Sequence, residues 1–206
     1  MRAFVAVNLN EELRRAVAET QDKLRATGAE VKWVKAETLH LTLKFLGWIE
    51  DVRLPEVIAA LESALAGATA FTLRLEGVGG FPTPTAPRVI WVGVKEGAPE
   101  LSALAQRVEA ALEPLGFERE DAFVRRSGTT SPAKADRGFS PHVTIGRSKG
   151  PGGRRELAAV MQEESERAFG EMQVTRVELM RSDLRPSGPI YTSQRAFELA
   201  GVCDRR

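Results

Sequence analysis

The stretch LHLTLKFLG, residues 39–47, sets one of only two histidines in the chain in the frame His-apolar-Thr-apolar. The second histidine repeats the frame in PHVTIG, residues 141–146. Thirteen of the 206 residues are threonine, so chance puts a threonine two positions after both histidines only about once in 250 such sequences. Side chains of a strand alternate between faces, which groups His40, Thr42 and Lys44 on one side and Leu41, Leu43 and Phe45 on the other. The same parity sets His142 with Thr144, opposite Val143 and Ile145. The apolar residues can anchor each strand in a core while the polar pairs look outward.

Outward from the motifs, the order of elements repeats. Residues 3–8 read as a strand, and Asn10 caps a helix running to about Thr27 with Leu13, Val17 and Leu24 on its apolar stripe. Gly28 ends it. Strands at 31–34 and 38–46, a helix at 52–65 and an alternating strand at 71–78 complete a first half. After GVGGFPTPTAP (77–87) come a strand at 89–95, a helix at 99–115, the second motif strand, a helix from about 155 to 169, and strands near 173–180 and 191–199. The halves, about 1–80 and 88–200, share element order, while their residues match only at the motif. Two copies imply two lobes. His40 lies 37 residues after Ala3, whereas His142 lies 53 after Val89. Most of the surplus is RRSGTTSPAKADRG (125–138), which has no hydrophobic period and reads as a mobile loop, either a substrate lid or a solvated insertion.

Composition narrows the classes. With 43% hydrophobic and 28% charged residues, the chain can bury a core without staples. A single cysteine, Cys203, excludes an intramolecular disulfide and a thiolate zinc cluster and fits a reducing cytoplasm. The opening MRAFVAVNLNEELRR has an apolar run of only five residues before charge begins, too short for a signal peptide or a membrane span. A net charge of +1 leaves any polyanion to be recognised locally. There is no Gly-x-x-x-x-Gly-Lys-Ser/Thr loop and no metal-ligand spacing, so neither a nucleotide cofactor nor a metal is expected. GPGGRR, 150–155, reads as a simple turn rather than an anion site.

Two histidines on one cleft suit a reaction that takes a proton from one oxygen while delivering a proton to another, because imidazole supplies both forms near neutral pH. Each threonine hydroxyl can donate to a non-bridging oxygen, so a phosphate between the strands would be held from two sides. The residues favour in-line phosphoester chemistry and leave open which histidine is the acid. Strict alternation sets Arg147 opposite His142 unless Gly146 breaks the strand, and with that break Arg147 is a candidate substrate contact. Lys44 suits the cleft or a solvated rim. Phe139, Tyr191 and Trp33 suit a stacked base or a core.

Through HLTL and HVTI, RAFVAVNL, VKWVKAETLHLTLKFLG, PRVIWVGV (87–94), FSPHVTIGR (139–147) and GPIYT (188–192), nearly the whole chain resembles the 2H phosphoesterase superfamily. Within it, the chain is similar to the bacterial and archaeal RNA 2',3'-cyclic phosphodiesterases once called 2'-5' RNA ligases. The resemblance implies an α+β, bilobal fold with pseudo-twofold repetition, two antiparallel sheets facing a central cleft, helices outside, and one domain over 1–206 with interleaved lobes. It implies metal-independent, cofactor-free hydrolysis of RNA 2',3'-cyclic phosphate ends to 2'-phosphomonoesters, with His40 as proton donor and His142 as proton acceptor. Thr42, Thr144 and Arg147 would hold the phosphate. The implied partner is RNA ending in a 2',3'-cyclic phosphate, with no membrane and a monomeric state. Two alternatives stay open: 2'-5' RNA ligation at the same site, and non-catalytic binding of cyclic-phosphate ends, whose expected sign is loss of one histidine.

Overall fold

Alternation builds the first strand. In the computed structural model, which describes residues 1–118, 139–186 and 188–201, β1 (Arg2–Asn8) sends Ala3, Val5 and Val7 into the main core. Phe4 and Ala6 take the opposite face and join a small second cluster with Met180 and Tyr191. The 125–138 segment and Cys203 lie outside the described residues. Helix α1 (Glu11–Arg25) starts where the Asn10 side chain accepts from the Leu13 N–H at 2.9 Å. Leu13, Val17 and Leu24 are buried as the periodicity requires, together with Thr20 and Gln21. Gly28, at φ 71°, carries the chain away from the helix.

The remaining elements are β2 (Val31–Trp33), β3 (His40–Trp48), α2 (Leu54–Leu65), β4 (Phe71–Phe81), β5 (Val89–Glu96), α3 (Ala98–Leu112), β6 (His142–Ser148), α4 (Arg154–Glu163), β7 (Ala168–Val174), β8 (Arg176–Arg185) and β9 (Gly188–Glu198). Short 3-10 turns precede β3 and α2 and follow α3. The strands pair antiparallel in the order β7-β4-β5-β6-β3-β1-β8-β9, with β2 beside the far end of β6. The two expected sheets are therefore halves of one curled sheet, and a single pair, Leu41 with Val143, joins β3 to β6. Strand β4 of the N-terminal half lies with β5, β6 and β7, while β8 and β9 lie with β1 and β3. The helices cross over as well: α1 leaves β1 yet packs on β7 and α4, and α3 leaves β5 yet packs on β3 and α2.

The helix expected to reach residue 169 stops at Glu163. The Ser165 hydroxyl bonds the Gln162 carbonyl at 2.7 Å, and the Glu164 carboxylate turns inward to Thr20, Lys23 and Arg167. Gly170, at φ 112°, has a backbone no α-helix accepts, and the segment pairs with β4. The single strand expected near 173–180 is two strands, broken at Thr175, whose carbonyl accepts from the Leu199 N–H.

Candidate active site

Each motif histidine stands at the first residue of its strand, and each makes the same local hydrogen bond. His40 Nδ1 donates to the Thr38 carbonyl at 2.7 Å, and His142 Nδ1 to the Ser140 carbonyl at 2.8 Å. A carbonyl oxygen only accepts, so Nδ1 carries the proton in both rings and Nε2 is left for chemistry. Leu41 and Val143, the residues between His and Thr in the two motifs, are fully buried and face each other as the single pair joining the sheet halves. Carried one residue either way, antiparallel pairing sets His40 across from Thr144 and Thr42 across from His142. All four side chains are half-buried and turned to the face opposite the core. The pseudo-twofold runs through the middle of the motifs.

Aromatic rings fix both imidazoles. His40 lies 4.8 Å from the Phe4 ring and 5.3 Å from Tyr191, edge to face. His142 meets Phe81 edge to face at 5.3 Å, and Phe81 in turn rests on Trp91. Trp91 lies against the backbones of Gly79 and Gly93: a Cβ on Gly79 would collide with the indole, and one on Gly93 would stand 3.2 Å from it. Burial pushes the pKa of His40 down; the hydrogen bond to Thr38 offsets part of this, and the Arg14 guanidinium on α1 adds to the depression. Neutral imidazole is thus favoured at His40 in the free protein.

A bulge follows the threonine in both motifs. Along β3 the partners on β1 run Ala6 with Thr42 and then Val5 with Lys44, which leaves Leu43 unpaired. Along β6 the partners on β5 run Trp91 with Thr144 and then Ile90 with Gly146, which leaves Ile145 unpaired. Each bulge reverses the parity beyond it, and two expectations change. Lys44 is neither in the cleft nor on its rim: it is fully buried on the helix side, where Nζ donates to Glu109 Oε2 at 2.7 Å and the Glu118 carbonyl at 2.8 Å. Arg147 returns to the face of His142, exposed, and its charge is felt at the Tyr191 hydroxyl. The break that carries it there is at Ile145, whose carbonyl is held by the buried Gln21 amide at 2.8 Å. Gly146 has another duty, since a Cβ there would stand 2.8 Å from Val31 Cγ1 and 3.0 Å from the Trp33 ring.

Of the three aromatics proposed for base stacking, only Tyr191 is beside a motif histidine. Its pKa is raised, chiefly by burial, with the charges of Arg147 and Arg2 pulling the other way. Trp33 packs on the core under the Arg25 guanidinium, and Phe139 packs on the core as well. The GPGGRR turn encloses the Glu30 carboxylate, which leaves no room there for an anion. Phe4, Phe81, Trp91 and Arg14 were invisible to sequence reasoning because only tertiary contacts bring them to the histidines. Asn8 is another such residue: it pairs with His40 across β1 and β3 and donates to Glu178 at 2.9 Å. Among the described residues, no cluster of three or more His, Cys, Asp or Glu side chains could hold a metal ion. Nor is any described helix long and apolar enough to cross a membrane.

A family model described as the 2'-5' RNA ligase superfamily matches residues 9–186. An RNA 2',3'-cyclic phosphodiesterase of Archaeoglobus fulgidus is 38% identical over 200 residues, 96% of this chain and 100% of that one. One from Methanothermobacter thermautotrophicus is 37% identical over 199 residues, 97% of this chain and 99% of that one. A crystal structure from Thermus thermophilus superposes with a TM-score of 0.76 at 35% identity, covering 98% of this chain and 100% of the other. The duplicated motifs, the single pair between them and these full-length similarities agree: the chain belongs to the 2'-5' RNA ligase superfamily, with the fold of the 2H phosphoesterases.

Proposed function

We propose that the protein hydrolyses RNA 2',3'-cyclic phosphate ends to 2'-phosphomonoesters by two-histidine acid–base catalysis. The observation that supports this most is the Leu41–Val143 pair, around which both imidazoles and both threonine hydroxyls share one face. The full-length relatives named as RNA 2',3'-cyclic phosphodiesterases support the choice of substrate. In this reading, His142 Nε2 takes a proton from water as the water oxygen forms its bond to phosphorus. The P–O3' bond breaks in line, and protonated His40 delivers its Nε2 proton to the departing 3' oxygen. Thr42 and Thr144 donate to the non-bridging oxygens, and Arg147 offsets their charge. The histidines finish with exchanged protonation states, which solvent resets. No metal enters any step.

Product analysis tests the direction. Hydrolysis of an oligonucleotide ending in a 2',3'-cyclic phosphate should give 2'-phosphate ends at full rate in excess EDTA. Chiefly 3'-phosphate ends would mean that the substrate binds in the opposite orientation or that the histidines exchange roles. Joining of a supplied 5'-hydroxyl strand in place of hydrolysis would favour 2'-5' ligation. The presence of both histidines speaks against a non-catalytic binder.

The depressed pKa of His40 has a consequence for binding. A phosphate anion beside the ring favours imidazolium, so it raises that pKa and draws in a proton. With His142→Ala protein, a nucleoside 2',3'-cyclic monophosphate, which does not titrate near neutrality, should bind with net proton uptake. Its affinity should rise as pH falls until His40 is already protonated in the free protein. Calorimetry in buffers of different ionisation enthalpy reads this directly, and binding with no proton exchange from pH 5 to 8 would contradict His40 as the donor.

A further inference from the structure

Two large aromatic side chains stand in solvent on the face that carries the histidines. Phe45 is 58% exposed and Trp48 is 75% exposed, while their neighbours Leu46 and Ile49 are buried on the helix side. On β1, Phe45 is opposite Phe4 and Trp48 is opposite Arg2. Opposed residues of an antiparallel pair project to the same face, and β1 puts Arg2, Phe4 and Asn8 on the side of His40. A row of rings therefore leaves the candidate active site: His40 touches Phe4 at 4.8 Å, Phe45 lies 6.2 Å from Phe4, and Trp48 follows along the strand. Neither exposed ring serves the core, and their exposure costs hydrophobic free energy that a purely structural residue would recover by burial.

We propose that this row is a platform for single-stranded RNA, on which the two nucleotides preceding the cyclic-phosphate end stack on Phe45 and Trp48. The proposal rests on the hydrolase reading above and extends it from the reacting phosphate to the strand that carries it. Three features favour RNA over a protein occupant. The row is continuous with the candidate active site through Phe4. Phe4 and Arg2 are two residues apart on β1, so their partners are offset by about 7 Å, twice the ~3.4 Å rise of stacked bases, which leaves room for one base per ring. Arg2 flanks the row, opposite Trp48 across β1 and β3, and among the described residues it has no ion-pair partner, so its guanidinium is available to a backbone phosphate. Past Trp48 the surface falls into a shallow hollow lined by Met1, Glu50, Asp51 and Arg181, where the N-terminal ammonium lies 3.4 Å from the Asp51 carboxylate.

The test compares a nucleoside 2',3'-cyclic monophosphate with single-stranded oligonucleotides of increasing length ending in a cyclic phosphate. In the wild-type protein, kcat/KM should rise from one to about three nucleotides and then level, one base being added per ring. Trp48→Ala should lower kcat/KM on the longer substrates roughly tenfold and leave the mononucleotide rate unchanged. Trp48→Phe should restore most of the loss, and Phe45→Ala should depress the oligonucleotides more than the mononucleotide. Equal activity on all lengths, an equal loss on mono- and oligonucleotide, or a solution dimer that Trp48→Ala dissociates would overturn the platform. Absence of turnover on every substrate would overturn the hydrolase reading instead. Fluorescence anisotropy with a 3'-phosphorylated oligonucleotide then decides the platform by itself, since single-stranded RNA must bind more tightly than duplex and lose affinity in Trp48→Ala.

Discussion

Alanine at either motif histidine should abolish nearly all turnover of a cyclic-phosphate oligonucleotide, by about 10²- to 10⁴-fold each, the usual contribution of one general acid or base. Because the proposed mechanism has both act in one step, the double variant should be little worse than the poorer single one. Neither ring is in the main core, so the variants should keep the far-UV spectrum and cooperative unfolding of the parent. The roles can be separated by the leaving group. A phosphodiester with an acidic phenol as leaving group needs no proton at that oxygen, so it should recover most of the loss in His40→Ala and little of it in His142→Ala. Near-wild-type turnover by either variant would end the two-histidine reading, and rescue of His142→Ala alone would reverse the assignment.

The motifs were legible because a strand writes its two faces as a period of two, and Leu41 and Val143 are buried where that period places them. Asn10 and Gly28 marked the ends of α1 through cap chemistry that is local to the chain. Bulges are different. Leu43 and Ile145 are ordinary strand residues by type, and each is extruded because the facing strand and the packing behind it set the pairing. A reading confined to alternation therefore sent Lys44 to the wrong face and held Arg147 off the right one. The end of α4 failed for a similar reason, since Glu164 leaves the helix for partners on α1, 144 residues away in the case of Thr20. The aromatic walls of the site are beyond local pattern altogether. Phe4, Tyr191 and Phe81 come from three strands, and their approach to the histidines follows from how the sheet curls.

The first bulge also predicts where the fold is most easily damaged. Lys44 has no exposed side-chain surface, and its ammonium is neutralised by Glu109 on α3, which is 15% exposed at the side chain. A buried ion pair gains little over an apolar pair of equal size, but removing one partner strands a charge in a poorly solvating interior, at a cost of about 3–5 kcal/mol. Glu109→Ala should therefore destabilise the protein by about that much, a fall in melting temperature of roughly 6–20 °C for a domain of this size. The Glu118 carbonyl, still 2.8 Å from Nζ, places the expected value toward the lower end. Lys44→Met removes the charge and keeps the stem, so it should cost much less than Glu109→Ala, and Lys44→Met/Glu109→Leu should recover most of the loss. Urea unfolding of the three variants, with unchanged denaturant slopes, provides the measurement. If Glu109→Ala were no worse than Lys44→Met, the buried charge would not be what anchors β3 to α3. The bulge that sends Lys44 to the face opposite Thr42 would then have to be held by the packing around Leu43.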